Sequence, residues 1–259
     1  MMMNNHYFHL VKTSPWPILS AVNLINMGIG LIKWITSSSF FFFFLALSIF
    51  IMAQWWRDVI REPLYEGFRS TKINLTISLG MLFFIISEVW FFISFFWAYF
   101  YFSLSPDMSM GLMWPPYGIS SFSYMDIPLL NTLILLISGF FVTWSHHSLI
   151  SFNLNLAKMS LMLSMITGGY FLFIQSYEYT NSGFSFNDSV FGNSFFILTG
   201  FHGFHVIIGL LFISVSWFRL INKSFSPLSF YGFEYSIWYW HFVDLVWLFL
   251  YVFLYWWGV

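Results

Sequence analysis

Seven long, nearly charge-free apolar stretches dominate this chain, near 16–32, 38–56, 73–102, 128–150, 157–177, 190–218 and 236–257. A hydrocarbon core of ~30 Å is crossed by about 20 apolar residues of helix, so each stretch is predicted to span a bilayer. The third and sixth are longer and are expected to tilt or to project beyond the lipid. Only 7% of the residues are charged, against about a quarter in a soluble domain, so the chain could not cover itself in water. Membrane β-strands alternate polar and apolar residues over about 10 positions; these stretches are apolar all round. The expected fold class is therefore all-α, a polytopic seven-helix membrane protein forming a single domain over residues 1–259.

An odd number of spans puts the two termini on opposite sides. The N-terminal side then collects Lys12, Arg57, Arg61, Arg69, Lys72, Lys158, Arg219 and Lys223, and the other side holds only Lys33. A missed or invented span would scatter these residues, so the sorting supports the count. Under the positive-inside rule the N-terminus faces the compartment in which the chain is made. Ser37-Ser38-Ser39, Trp114-Pro115-Pro116, Asn181-Ser182-Gly183 and Ser226-Pro227 read as turns between spans. Met1 to Leu10 carries neither a signal-peptide core nor an amphipathic transit pattern, so insertion is expected to use the spans themselves. A net charge of −1 leaves no electrostatic footprint for nucleic acid, and the lack of cysteine excludes disulfides and thiolate metal sites.

Ionisable groups inside lipid are costly, so each one needs a partner or a purpose. Glu88 lies near the middle of the third span, where it could be a proton-relay acid or a neutral carboxyl that holds helices together. His241 and Asp244 are three apart in the seventh span and share a helix face. Such a pair could orient a metal-binding imidazole, but a metal site needs three or four converging ligands, so a self-satisfied polar pair is favoured. His202 and His205 also share a face, with Gly200 and Gly203 expected to admit a neighbouring helix, and are read as interhelical polar contacts. His146 and His147 point in different directions. Haem ligation would want well-separated histidine pairs facing each other across helices, so no metal or cofactor is assigned to this chain.

At the end of the second span, Gln54-Trp55-Trp56-Arg57-Asp58-Val59-Ile60-Arg61-Glu62 sets basic and acidic rows beside two indoles. With Arg69 this could cradle an anionic lipid headgroup or be an ordinary snorkelling interface. The Phe40–Phe44 run reads as lipid-facing filler.

Taken together, Ser14-Pro15-Trp16-Pro17, Gln54–Asp58, Ser87-Glu88-Val89, Phe95-Phe96-Trp97-Ala98, Trp114-Pro115-Pro116 and Pro128–Thr132 form an ordered series of motifs. It continues with Thr143–Ser148, Thr199–Ile208, Trp238–Tyr251 and Tyr255–Gly258. In this order and over nearly the whole length, the chain resembles subunit III of mitochondrial cytochrome c oxidase. The resemblance implies a two-helix and a five-helix bundle separated by a cleft filled with structural phospholipids, and an N-terminus on the matrix side of the mitochondrial inner membrane. It implies haems and coppers in partner subunits, with subunit I as the main contact. It places Trp56, Arg61, Glu62 and Arg219 at cleft lipids, with Arg69 standing where the family commonly has histidine. Glu88 becomes the family's buried carboxyl, reactive toward carbodiimides. A basic residue usual at the entry to the third helix is missing near Ile77-Ser78-Leu79.

The function so implied is a non-catalytic core subunit of respiratory complex IV. It would stabilise the catalytic subunit, bind phospholipid, and support oxygen entry and proton uptake during electron transfer from cytochrome c to oxygen. Two alternatives remain: a free-standing proton or solute transporter using Glu88, and a haem-carrying redox subunit using His202 or His205.

Overall fold

The structure, a computed structural model, describes residues 13–36, 40–65, 71–108, 111–225 and 230–258. Lys12, the Ser37–Ser39 turn, Glu66-Gly67, Arg69-Ser70 and Ser226-Pro227 lie outside the described residues. Among the described residues seven helices follow in order: α1 Trp16–Thr36, α2 Phe40–Tyr65, α3 Thr71–Leu104, α4 Ile127–Ile150, α5 Leu154–Thr180, α6 Ser189–Ile221 and α7 Tyr231–Leu250. All seven contain a segment long and apolar enough to cross a membrane, and the described residues contain no strand. The last helix runs on as a π-helical segment, Tyr251–Trp256, closed by the Trp257 N–H donating to Val252 O at 2.9 Å.

The helix ends follow local chemistry. Pro128 sits in the first turn of α4, where a missing N–H costs nothing. Asn153 precedes α5 and its Oδ1 accepts from the Leu156 N–H at 3.4 Å. Asn181 follows the same helix and its Nδ2 donates to Tyr177 O at 2.9 Å. The second helix continues well past the expected end near 56, to Tyr65, so its Arg57–Glu62 charges ride on a helical extension. The fifth continues past 177 to Thr180, and this extension carries Glu178 into the interior.

The chain divides into two compact units, Met1–Ile77 and Ser78–Val259, with the boundary inside α3. In the first unit, α1 and α2 pair through a polar knot. Asn23 Nδ2 donates to Ser48 Oγ at 2.5 Å and to Phe44 O at 3.2 Å. At the far end of this hairpin Trp16 Nε1 donates to Asp58 Oδ2 at 2.8 Å. Within the Phe run, Phe40, Phe42 and Phe43 are exposed while Phe41 and Phe44 turn toward Gly30 of α1.

In the second unit α7 is the central helix. More than half of its most apolar window is buried (56%), against 6% for α3. Trp240 is its keystone: fully buried, it packs on α5 and α6 where a Cβ at Gly168 would lie 2.7 Å from the indole and one at Gly209 2.8 Å. Its Nε1 donates to Ser138 Oγ of α4 at 3.0 Å, so one side chain touches three neighbouring helices. Within the described residues a Cβ at Gly203 would meet nothing within 4 Å, and one at Gly200 would meet the Tyr179 hydroxyl of α5 at 3.9 Å, an ordinary contact rather than a close approach. α3 reaches the others through long side chains, as in the Phe91–Phe201 ring contact at 5.0 Å and the Ser78–Tyr235 hydroxyl pair at 2.8 Å.

Trp240→Ala is expected to destabilise the protein by about 3–5 kcal/mol. Trp240→Phe, which keeps most of the packing but drops the bond to Ser138, should cost less, with a polar contribution of about 1 kcal/mol. Gly209→Leu should be worse than Gly203→Leu. Unfolding of the purified protein in mixed micelles measures all four, and equal effects at the two glycines would sink the keystone reading.

Candidate functional site

Glu88 and His205 meet in the interior of the second unit. Glu88 comes from α3 and His205 from α6, with His205 Nε2 and Glu88 Oε2 2.9 Å apart. The other ring nitrogen, Nδ1, lies 2.7 Å from Phe201 O one turn earlier on the same helix. A carbonyl oxygen can only accept, so Nδ1 carries a hydrogen and the tautomer is set. The Nε2–Oε2 contact then contains one further proton, placed either on the acid or on the imidazole. The pair is neutral in one form and a charge-assisted contact in the other. Phe92, Phe242 and Tyr239 ring the imidazole at centroid distances of 5.0, 6.2 and 6.4 Å. The carboxyl side chain is 24% exposed, so the pair is walled on the His205 side and open on the α3 side.

His202 shares the expected face with His205 but serves a different helix. Its Nε2 lies 3.3 Å from Val243 O of α7, and its ring packs on Trp247 at 5.1 Å and Phe171 at 5.5 Å. Asp244 is buried and its Oδ2 stands 3.8 Å from His241 Nδ1, an ion-pair distance too long for a hydrogen bond. Gly139 of α4 leaves room for that carboxylate, since a Cβ there would lie 2.5 Å from Oδ2. His146 is half-buried against Phe230 and Phe233, while His147 is exposed. Among the described residues, no three His, Asp or Glu side chains converge as metal ligands. His205 has both nitrogens engaged and His202 offers only Nδ1, so these residues do not fit an axial haem pair.

The residues expected to hold lipid lie at helix ends. Trp56 and Arg61 are exposed and Glu62 is half-buried on the last turns of α2. Asp58, between the two arginines, bonds to Arg57 Nη2 at 3.0 Å and to Trp16, so its charge is already used inside the hairpin. Arg219 ends α6; its guanidinium carbon lies 4.1 Å from the Phe225 ring centroid, and Gly232 of α7 gives it space. Arg69 lies outside the described residues.

One buried acid escaped the sequence reading. With the fifth span ended at 177, Glu88 and Asp244 were the expected intramembrane carboxyls; Glu178, three residues before the C-cap Asn181, is fully buried as well. The usable signal was the spacing of Gln175, Glu178 and Tyr179, which puts three polar side chains on adjoining positions of one helix.

The family profile described as Cytochrome c oxidase subunit III matches residues 6–259. The chain belongs to this family. It is 48% identical to cytochrome c oxidase subunit 3 of Aedes aegypti over 256 residues, covering 98% of each chain. The protein of the same name from Drosophila melanogaster is 48% identical over 257 residues, again with 98% of each chain covered. That of the starfish Pisaster ochraceus is 47% identical over 259 residues, 99% of this chain and 100% of the relative. The similarity to this family thus spans every helix described above, including the Glu88–His205 pair.

Two outcomes test the geometry. Glu88→Gln keeps a donor facing His205 Nε2, whereas Glu88→Leu strands a buried imidazole nitrogen; the second should be less stable than the first by about 1–3 kcal/mol in thermal unfolding. In the α5–α6 loop, the Ser185 backbone N–H, donating at 2.7 Å, and the Ser185 hydroxyl hold the Asp188 carboxyl below the ordinary aspartate range. A lowered native pKa stabilises above the unfolded value, so the bond is intact at neutral pH. It is lost only as pH falls below about 3.9 and through the lowered native pKa. The Ser185 amide resonance should follow that titration, and Asp188→Asn should abolish it.

Proposed function

We propose that this chain is a non-catalytic core subunit of cytochrome c oxidase, respiratory complex IV, in the mitochondrial inner membrane. The observation that carries the reading is the match to the subunit III family over residues 6–259, which takes in every helix among the described residues. Acting as one seven-helix domain, the subunit packs against the catalytic subunit I and retains phospholipid, while the haems and coppers belong to partner subunits. Its own residues supply no convergent ligand set among those described.

Orientation follows from charge. Seven spans place eight of the nine basic residues on the N-terminal side, and basic residues stay on the side of synthesis, here the matrix. On that side Trp56, Arg61, Glu62 and Arg69 bring one amphipathic ring, two cations and one acid, and Arg219, in the other unit, brings a further cation; each is suited to phosphate headgroups or their hydrogen-bonding substituents. Lipid held between helices dissolves oxygen more readily than water does, which gives it an apolar route toward a buried reaction centre. Glu88 and His205 hold a proton between them inside the bilayer, and their support of proton uptake is by tuning the surroundings of that route.

Removing this subunit from the purified oxidase should leave haem and copper spectra intact and shorten the number of turnovers before inactivation. Loss of the haem spectrum on its removal would overturn the supporting role. Arg219→Met and Arg61→Met should each reduce the anionic phospholipid that co-purifies with the complex, measured by mass spectrometry of extracted lipid. Unchanged lipid in both variants would sink the headgroup assignment.

A further inference from the structure

Away from the Glu88–His205 pair, the last turns of α5 enclose a second group of polar side chains. Asn131 of α4, Gln175 and Glu178 of α5, and Tyr255 of the terminal π-helical segment are 0, 4, 0 and 1% exposed. They belong to one neighbourhood. Asn131 Nδ2 donates to Gln175 Oε1 over a long 3.4 Å, and Tyr255 lies within interaction range of both Glu178 and Gln175. Yet Asn131 Oδ1, Gln175 Nε2, both Glu178 carboxyl oxygens and the Tyr255 hydroxyl complete no hydrogen bond. Apolar rings close the walls, with Phe195 at 5.5 Å and Trp247 at 6.0 Å from the Tyr255 ring.

The donor and acceptor inventory does not close by direct pairing. Turning the Tyr255 O–H onto Glu178, with Tyr255 Oη accepting from Gln175 Nε2, still leaves Asn131 Oδ1 and one Glu178 oxygen without a donor. A molecule that both donates twice and accepts twice closes it. Such a molecule accepts from Gln175 Nε2 and Tyr255 Oη, and donates to Asn131 Oδ1 and Glu178. Buried waters are held by about 3 hydrogen bonds of this mixed kind. A cation fits worse, because the group includes an amide N–H and a phenol O–H, which are donors, and a hard cation asks for about six oxygens.

We propose that Asn131, Gln175, Glu178 and Tyr255 form a buried water-binding site that joins α4, α5 and the C-terminal segment within the bilayer. The neighbouring Tyr179 O–H, donating to Thr199 Oγ1 at 2.7 Å, extends the polar contacts to α6. Tyr179 also lines a surface pocket with Ser182, Ser185 and Asp188. The site lies wholly within this chain and does not depend on the oxidase assignment.

A high-resolution structure of the intact complex containing this chain tests the proposal. The expected result is a solvent peak within hydrogen-bonding distance of at least three of the four side chains. Four side chains bonded directly to one another with no peak would overturn it. So would a peak that becomes strongly scattering after exchange into thallium, which marks a cation. Glu178→Gln should keep the peak and Glu178→Leu should lose it; a peak unmoved in the leucine variant removes Glu178 from the site. Tyr255→Phe, which deletes one hydroxyl and no packing volume, serves where the leucine chain does not assemble: a water keeping all its distances there rules Tyr255 out. Failure of the wild-type chain to join an oxidase would count against the proposed function and leave this site untouched, since the same peak is sought in the chain purified alone.

Discussion

The wedge of the Trp240 indole between Gly168 and Gly209 is the contact on which the larger unit depends. Lipid tails are as apolar as a leucine side chain, so burying apolar area does little to press helices together inside a bilayer. Close packing and interhelical hydrogen bonds must do so. Trp240 supplies both, filling space that two missing side chains leave and donating to Ser138 on a third helix. With that indole in place α7 becomes the most enclosed helix, and its neighbouring residues acquire fixed partners: Val243 O beside His202, and Asp244 against Gly139.

The same solvent explains where polarity is permitted. An ionisable group in hydrocarbon persists only beside a partner, and Glu88 finds His205 on another helix. The Phe201 carbonyl decides the His205 tautomer and leaves Nε2 to face Glu88. Charges that lack such partners collect at helix ends, where the extension of α2 to Tyr65 carries Arg57, Asp58, Arg61 and Glu62 beside Trp56.

Much of this was legible from residue order. Seven apolar stretches and their sided charges gave the helix count, because lipid imposes a length and excludes charge wherever a helix crosses. The place of Glu88 within its span was equally visible. Partners were not. His202 and His205 share a helix face by spacing, yet one meets α7 and the other α3. Gly200 and Gly203 had the small-residue spacing of a packing face, while the glycines that admit the Trp240 indole are Gly168 and Gly209, on different helices. Glu178 was missed because a stretch read by hydropathy ends at its first polar residues, whereas the helix continues until its C-cap at Asn181.

By itself the sequence determined the solvent, the number of helices and the sidedness of charge, since each follows from composition summed along a segment. Its ordered motifs also carried the family. Tertiary structure alone decided which polar groups meet, because a contact such as Glu88 with His205 joins positions 117 residues apart. It also decided which glycines are packed and which acids are enclosed. Those outcomes depend on the rotation of each helix about its axis, and in helices that are apolar all round no stripe of residues announces that rotation in advance.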